Sequence, residues 1–231
     1  MGSRYSVAGI FLVMILSVLL FLFSCSSPEP TQTAIPPPGP TQTTTPPPEP
    51  TVPASEEPVF KTPTTNLAYL ASSNPAEVDN SNLPVTPTDE IHITGVAPDV
   101  DIAQYRLTVD GLVDRELSLT YDQLLTYPTV TRVVLLICPE FFADNAEWTG
   151  IPLTVLLDEA GIKPEATELY LHAIDGYTSF LSLDEVKDGV FLAYKVNGQV
   201  LPREHGYPLR LVLTGKYGGG WVKWLERIEV R

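Results

Sequence analysis

Residues 131–137 read TRVVLLI and run directly into Cys138-Pro139. The run is short, β-branched and apolar, which predicts a buried strand. Pro139 ends it and leaves Cys138 at a sheet edge or loop, where sites are commonly built. Upstream, residues 105–109 (YRLTV) alternate and stop at Asp110-Gly111, a strand entering a turn. Thr120-x-x-Gln123 before Leu124-Leu125 is a capping box for a short helix closed by Pro128. Downstream, Ile151-Pro152-Leu153 opens a helix through Ala160, which Gly161 stops. Residues 169–173 form a strand and Asp175-Gly176 a turn. Ser182-x-x-Glu185 caps a short helix that Gly189 ends. Residues 191–196 form a strand turned by Asn197-Gly198, and 209–213 and 222–230 close the chain as strands. Strands outnumber short helices and no βαβ rhythm exists. The pattern predicts an α+β domain on mixed β-sheets.

The rest of the 231 residues divides by composition. Arg4 precedes an apolar run from Val7 to Phe23, followed by Ser24-Cys25. This describes an export signal over 1–25 whose end resembles a bacterial lipobox, with Cys25 lipidated. The alternative is an uncleaved anchor, the run being near the lower limit for spanning. Either way the remainder lies outside the cytoplasm, tied to the cell membrane. Arg4 stands alone, so the leader carries no twin-arginine signal. Residues 26–58 are Pro- and Thr-rich, and TQTAIPPPGP and TQTTTPPPEP match at seven of ten positions. Such a segment favours extended polyproline II and reads as a stalk reaching roughly 100 Å. Residues 59–104 form an extended N-terminal segment, of which 59–85, punctuated by Pro and Asn, is expected to wrap the domain loosely, and 105–231 the domain itself. Net charge is −14, which argues against a nucleic-acid partner. Two cysteines and three scattered histidines exclude a disulfide framework and a Cys₂His₂ zinc finger.

With Cys25 lipidated, Cys138 is an unpaired thiol in an exported protein. It is either a small buried hydrophobe or a functional group. Residues 201–231 hold six basic residues against three acids, leaving −17 on the rest of the chain. A cationic island in an anionic protein attracts an anion such as phosphate. Lys216-Tyr217-Gly218-Gly219-Gly220 adds a glycine loop whose backbone can approach phosphate oxygens, or which is a hairpin with solvated lysines. Arg210 sits in the apolar run LRLVL and needs a partner, either a carboxylate such as Glu204 or a bound phosphate.

Taken in order, these residues resemble the molybdopterin-binding oxidoreductases, the family of sulfite oxidases and of the catalytic subunit of bacterial periplasmic methionine-sulfoxide reductases. The likeness runs through YRLTVDGLV (105–113), LIC (136–138), WTGIPL (148–153), HGYPLR (205–210), KYG (216–218) and VKW (222–224). It implies a sulfite-oxidase-like domain carrying the molybdenum cofactor, molybdopterin. Cys138 is then the thiolate ligand of molybdenum and the catalytic residue. His205, Gly206, Arg210 and Lys223 match positions that hold the pterin and its phosphate, with Lys216 and Gly218 assisting. Trp221 either stacks on the pterin or packs in the core. Asp175 and Tyr177 match a turn near the pocket, which is otherwise an ordinary β-turn.

Between Cys138 and Trp148 the chain reads PEFFADNAE. Glu140, Asp144 and Glu147 beside a metal would repel a dianion, so a neutral substrate, such as a sulfoxide or a small organic molecule, is expected. No haem domain accompanies the fold, so electrons come from a separate partner. Two other readings compete: a metal-free module of the same fold that holds an anion or a partner protein, and a redox thiol paired with His172 or His205. The first has no need of a thiol at 138; the second has no resolving cysteine.

Overall fold

In the computed structural model the strand read at 131–137 extends over Val130–Cys138 and turns back at once into a longer strand, Phe142–Pro152. The structure describes residues 65–187 and 189–231; the leader, the stalk and Cys25 lie outside them. In chain order the strands are β1 (Leu107–Gly111), β2 (Leu117–Leu119), β3 (Val130–Cys138), β4 (Phe142–Pro152), β5 (Glu168–Ala173) and β6 (Thr178–Ser182). They continue with β7 (Val190–Val196), β8 (Gln199–Val200), β9 (Arg210–Leu213) and β10 (Leu225–Val230). Two α-helices intervene, α1 (Tyr121–Leu124) and α2 (Leu153–Ala160).

The strands form two sheets. The first runs β2-β1-β10-β5-β6; β1 and β10 are parallel and every other pair is antiparallel, so it is mixed. The second runs β3-β4-β7-β8, with β9 also on β7, and is antiparallel throughout. The first sheet is one-sided. Leu107 and Val109 on β1 and Leu169, Leu171 and Ala173 on β5 face the core, while Asp110, Tyr170 and His172 alternate outward. The second sheet is covered on both faces, and β9 is buried at all four positions. That is why its strands read as unbroken apolar runs.

α1 carries the capping box expected from Thr120 and Gln123, with both reciprocal hydrogen bonds formed. Asn197 and Gly198 both take positive φ in the β7–β8 turn, as a tight hairpin requires. Three expectations differ. Helix α2 starts at Leu153, because Ile151 and Pro152 still pair with β7. Ser182 makes no cap hydrogen bond, and only a single 3₁₀ turn, Leu183–Glu185, follows it. The last strand begins at Leu225 because Trp224 adopts φ 53°, which breaks the extended run read from 222.

The largest departure is β4, eleven residues of strand where Asp144, Asn145 and Glu147 give no apolar alternation. The N-terminal segment explains it. Far from wrapping loosely, residues 65–91 cover the outer face of β3 and β4, and Leu67 packs with Leu135, Ile137 and Ala143 in a small second core. Fully buried Asn145 is the clasp. Its Oδ1 accepts from Asn80 Nδ2 at 2.9 Å and its Nδ2 donates to the Leu83 carbonyl at 3.2 Å. Its backbone exchanges bonds with Thr86, N–H to Oγ1 at 3.1 Å and C=O from the Thr86 N–H at 2.7 Å. Asn145→Ala would leave buried donors and acceptors unmet, at about 2 kcal/mol. A fall in Tm of about 4–8 °C is expected, together with faster amide exchange over residues 80–86.

Candidate functional site

The β3–β4 turn sets the floor of a cavity of about 310 Å³. Cys138 ends β3 directly opposite Phe142, and the intervening turn is tight enough that Glu140 takes φ 66°. Cys138 is half-buried and unpaired, and it lines the cavity. Gly218 does too. A Cβ at 218 would come within 2.7 Å of Leu136 Cδ1, so the glycine turn packs closely against the strand beside the thiol. The turn is clipped from above: Tyr177 donates its hydroxyl to the Gly219 carbonyl at 2.7 Å, and Asp175 Oδ1 accepts the Tyr177 N–H at 3.0 Å. The 175–177 segment is thus a built wall of the cavity rather than a free surface turn.

Arg210 and Lys223 supply the positive charge. Arg210 is 5% exposed, and its guanidinium lies 5.1 Å from the Trp148 ring and 5.5 Å from the Trp221 ring. Among the described residues no carboxylate forms an ion pair with it. Glu204, the partner weighed from sequence, instead gives its backbone carbonyl to Lys223. Arg210 Nη1 donates to the His205 carbonyl at 3.1 Å, and Nε has no partner. Burial pushes the Arg210 pKa down to about 10, with Asp144 pulling the other way. Lys223 Nζ donates to the Thr94 carbonyl and, at 3.1 Å, to that of Glu204. Burial, then Arg210, pushes its pKa down to about 8.

That value fixes two opposite trends. The unfolded lysine holds its proton up to its higher ordinary value, so between about 8 and that value the unfolded chain binds more protons. Stability of the cofactor-free chain is therefore expected to rise with pH across this window. Affinity for an anion at Lys223 falls over the same window as the ammonium is lost. Parallel thermal melts and phosphate titrations from pH 7 to about 10 check both signs.

Gly206 explains how two cations come so close. At φ 114° it passes between them, and a Cβ there would meet Arg210 Cβ at 3.1 Å and Lys223 Cα at 3.2 Å. His205 is buried behind this turn, pushed below its ordinary pKa first by burial and then by Arg210. It borders a second, more open hollow rather than the cavity. Lys216 pairs with Glu185 at the surface and does not reach the cavity. Thus seven residues expected from sequence meet in one cavity: Cys138, Asp175, Tyr177, Arg210, Gly218, Trp221 and Lys223. Trp221 is 3% exposed, so it packs in the core, edge-on to Trp148, and still shows one side to the cavity.

The acidic stretch is arranged otherwise than expected. Of Glu140, Asp144 and Glu147, neither glutamate lines the cavity. Glu147 falls on the opposite face of β4, by the strand's alternation, and Glu140 is exposed at the turn. Asp144 alone lies on the inner face, and it is held by His92. His92, Thr94 and Gly95 line the cavity from the N-terminal segment, and nothing in their local sequence marked them. His172 pairs with Glu229 on the outer face of the first sheet, which removes it as a partner for Cys138.

The sequence profile of the oxidoreductase molybdopterin binding domain matches residues 94–231. The chain belongs to this family. Its molybdopterin domain resembles that of the sulfane dehydrogenase SoxCD from Paracoccus pantotrophus, with a TM-score of 0.61 and 31% identity over 68% of this chain and 45% of that one. A nitrate reductase from Phytophthora infestans is 32% identical over 59% of this chain and 18% of its own length. The catalytic subunit of a protein-methionine-sulfoxide reductase from Gluconobacter oxydans is 33% identical over 54% and 46%. The chain thus spans a fifth to a half of these relatives. The fold is of the sulfite-oxidase type, and the cofactor of the family is molybdopterin.

The cavity fits that cofactor. It presents a soft sulfur donor beside two cations, and Arg210 Nε and Trp221 Nε1 are buried with no acceptor. Unmet buried donors are costly unless a ligand supplies the acceptor. Cys138 would hold the metal as thiolate, and Arg210 and Lys223 the phosphate of the pterin.

Proposed function

We propose that this protein is an exported, lipid-anchored, molybdopterin-dependent oxidoreductase that transfers an oxygen atom or two electrons to a small neutral substrate. The observation that carries the reading is the convergence of Cys138, Arg210 and Lys223 on one cavity with unmet buried donors. When bound, the cofactor supplies the redox chemistry. The chain's residues position and polarise. Cys138 supplies the thiolate. Arg210, gripped between Trp148 and Trp221, cannot swing away and gives fixed donors. Lys223 bridges the anion to the Thr94 carbonyl, tying the N-terminal segment to the bound group.

The cations at hand are those that hold the cofactor, which supports a neutral substrate over an oxyanion. Electrons come from a separate transfer partner. Anchoring through Cys25, and a place outside the cell membrane, rest on the leader sequence. The test is molybdenum and pterin analysis of the full chain, produced in cells competent for molybdopterin synthesis. About one of each per chain is expected. A folded chain with neither would overturn the oxidoreductase reading and leave a binding module of the same fold.

A further inference from the structure

His92 lines the cavity and pairs with buried Asp144 behind it, and the cofactor reading does not use this pair. Asp144 is 2% exposed and both its oxygens are engaged by one residue. Oδ2 accepts the backbone N–H of His92 at 2.9 Å, and Oδ1 lies 2.9 Å from its ring Nδ1. An ionised carboxylate only accepts, so Nδ1 carries a proton towards Asp144, and in the imidazolium form Nε2 carries the second, transferable proton. The ring cannot rotate freely. It stacks on Phe142 at 4.4 Å with planes 4° apart, and Phe142 is the residue directly across the strand pair from Cys138. The imidazole is 49% exposed, so one edge meets water while the residue lines the cavity.

Several other polar side chains of the cavity are engaged, while Arg210 Nε and Trp221 Nε1 are buried donors that await an acceptor. Tyr177 donates to Gly219, Asp175 accepts from Tyr177, and Arg210 and Lys223 are held by backbone carbonyls. Among the described residues, His92 Nε2 has no hydrogen-bond partner.

We propose that His92, oriented by Asp144, holds the oxygen of the substrate and delivers a proton to it. This rests on the reading above, that the substrate is a small neutral oxo compound, here a sulfoxide. In the overall change the S–O bond breaks and sulfur is reduced by two electrons from the separate transfer partner. The oxygen leaves as water, taking two protons. His92 Nε2 gives one of them and is reprotonated by solvent at its exposed edge; the other comes from solvent. The charged groups that face the pair are Asp144 itself, Arg210 on β9, which acts on Asp144, and Lys223, Asp175 and Cys138 around the same cavity.

The experiment compares wild type, His92→Gln, His92→Phe and Asp144→Asn as full, cofactor-loaded chains. Dimethyl sulfoxide is the probe and reduced methyl viologen the electron donor. Molybdenum, pterin and Tm are expected to match wild type in His92→Gln. Its kcat is expected to fall about 100-fold, within the usual range for a lost acid catalyst, with KM nearly unchanged. Asp144→Asn should lose activity in the same direction. A separate readout needs no turnover: ¹⁵N NMR of the cofactor-free chain should show the His92 ring proton on Nδ1, lost in Asp144→Asn. An unchanged kcat in His92→Gln would overturn the proposal while leaving the sulfoxide reading intact. So would loss of molybdenum or pterin in that variant, which would make His92 a cofactor-holding residue. A loaded wild type that reduces no dimethyl sulfoxide would sink the substrate reading and this proposal together.

Discussion

Cys138→Ser is expected to leave the fold intact and to lower viologen-linked turnover of the loaded chain by more than about 100-fold. Changing a group that merely hydrogen-bonds to a metal ligand costs about 10–100-fold in affinity or activity. Removing the only sulfur that the described residues offer must cost more. Serine is nearly isosteric, and a half-buried site at the end of β3 tolerates it, so stability should move by less than about 0.5 kcal/mol. The hydroxyl keeps its proton where a metal-bound thiol gives its proton up. The comparison is informative because Arg210 and Lys223 are untouched. The pterin should remain measurable after release, while the metal-centred absorption and the turnover collapse. A serine variant with full ligand binding and activity would instead favour the metal-free module.

The cavity's sulfur, its buried arginine and its glycine turn were legible because each breaks a local rule in its own segment. Cys138 follows an apolar strand and precedes proline. Arg210 stands inside LRLVL, where a charge has no cheap place. Gly218 interrupts the chain where a Cβ would strike Leu136. His92 and Asp144 were not legible as a pair. They are 52 residues apart, and their union depends on how the N-terminal segment lies across β4. The same contact hid β4. A strand carrying Asp144, Asn145 and Glu147 has no apolar period of its own, and groups from residues 80–92 satisfy the buried side chains of Asp144 and Asn145. Propensity and periodicity are local signals, whereas polar satisfaction here is non-local. The looseness expected of the segment failed for a related reason. Its Pro and Asn residues read as punctuation, yet Asn80 is a specific ligand of Asn145.

Arg210→Met is expected to stabilise the cofactor-free chain and to abolish cofactor retention. A buried cation without a carboxylate is an uncompensated cost in the empty protein, since stacking on Trp148 and Trp221 and one bond to the His205 carbonyl do not replace its hydration. Replacing buried charge by an apolar side chain of similar volume is often neutral or stabilising by about 1–4 kcal/mol. Methionine can follow the path of the arginine stem between the two indoles and adapt to the remaining gap. An increase in Tm of several degrees is expected for a domain of this size. Binding moves the other way. Removing one member of a buried charge pair costs about 2–5 kcal/mol, or roughly 30- to 5,000-fold in affinity. Molybdenum and pterin should therefore be absent from Arg210→Met after purification, while its melt exceeds that of the empty wild type. If Tm instead fell along with cofactor content, Arg210 would be a packing residue and its role toward the phosphate would be lost. Arg210→Lys separates charge from geometry. It keeps one positive charge and gives up the planar fork, so weak retention there with none in Arg210→Met would assign the binding to bidentate donation as well as to charge.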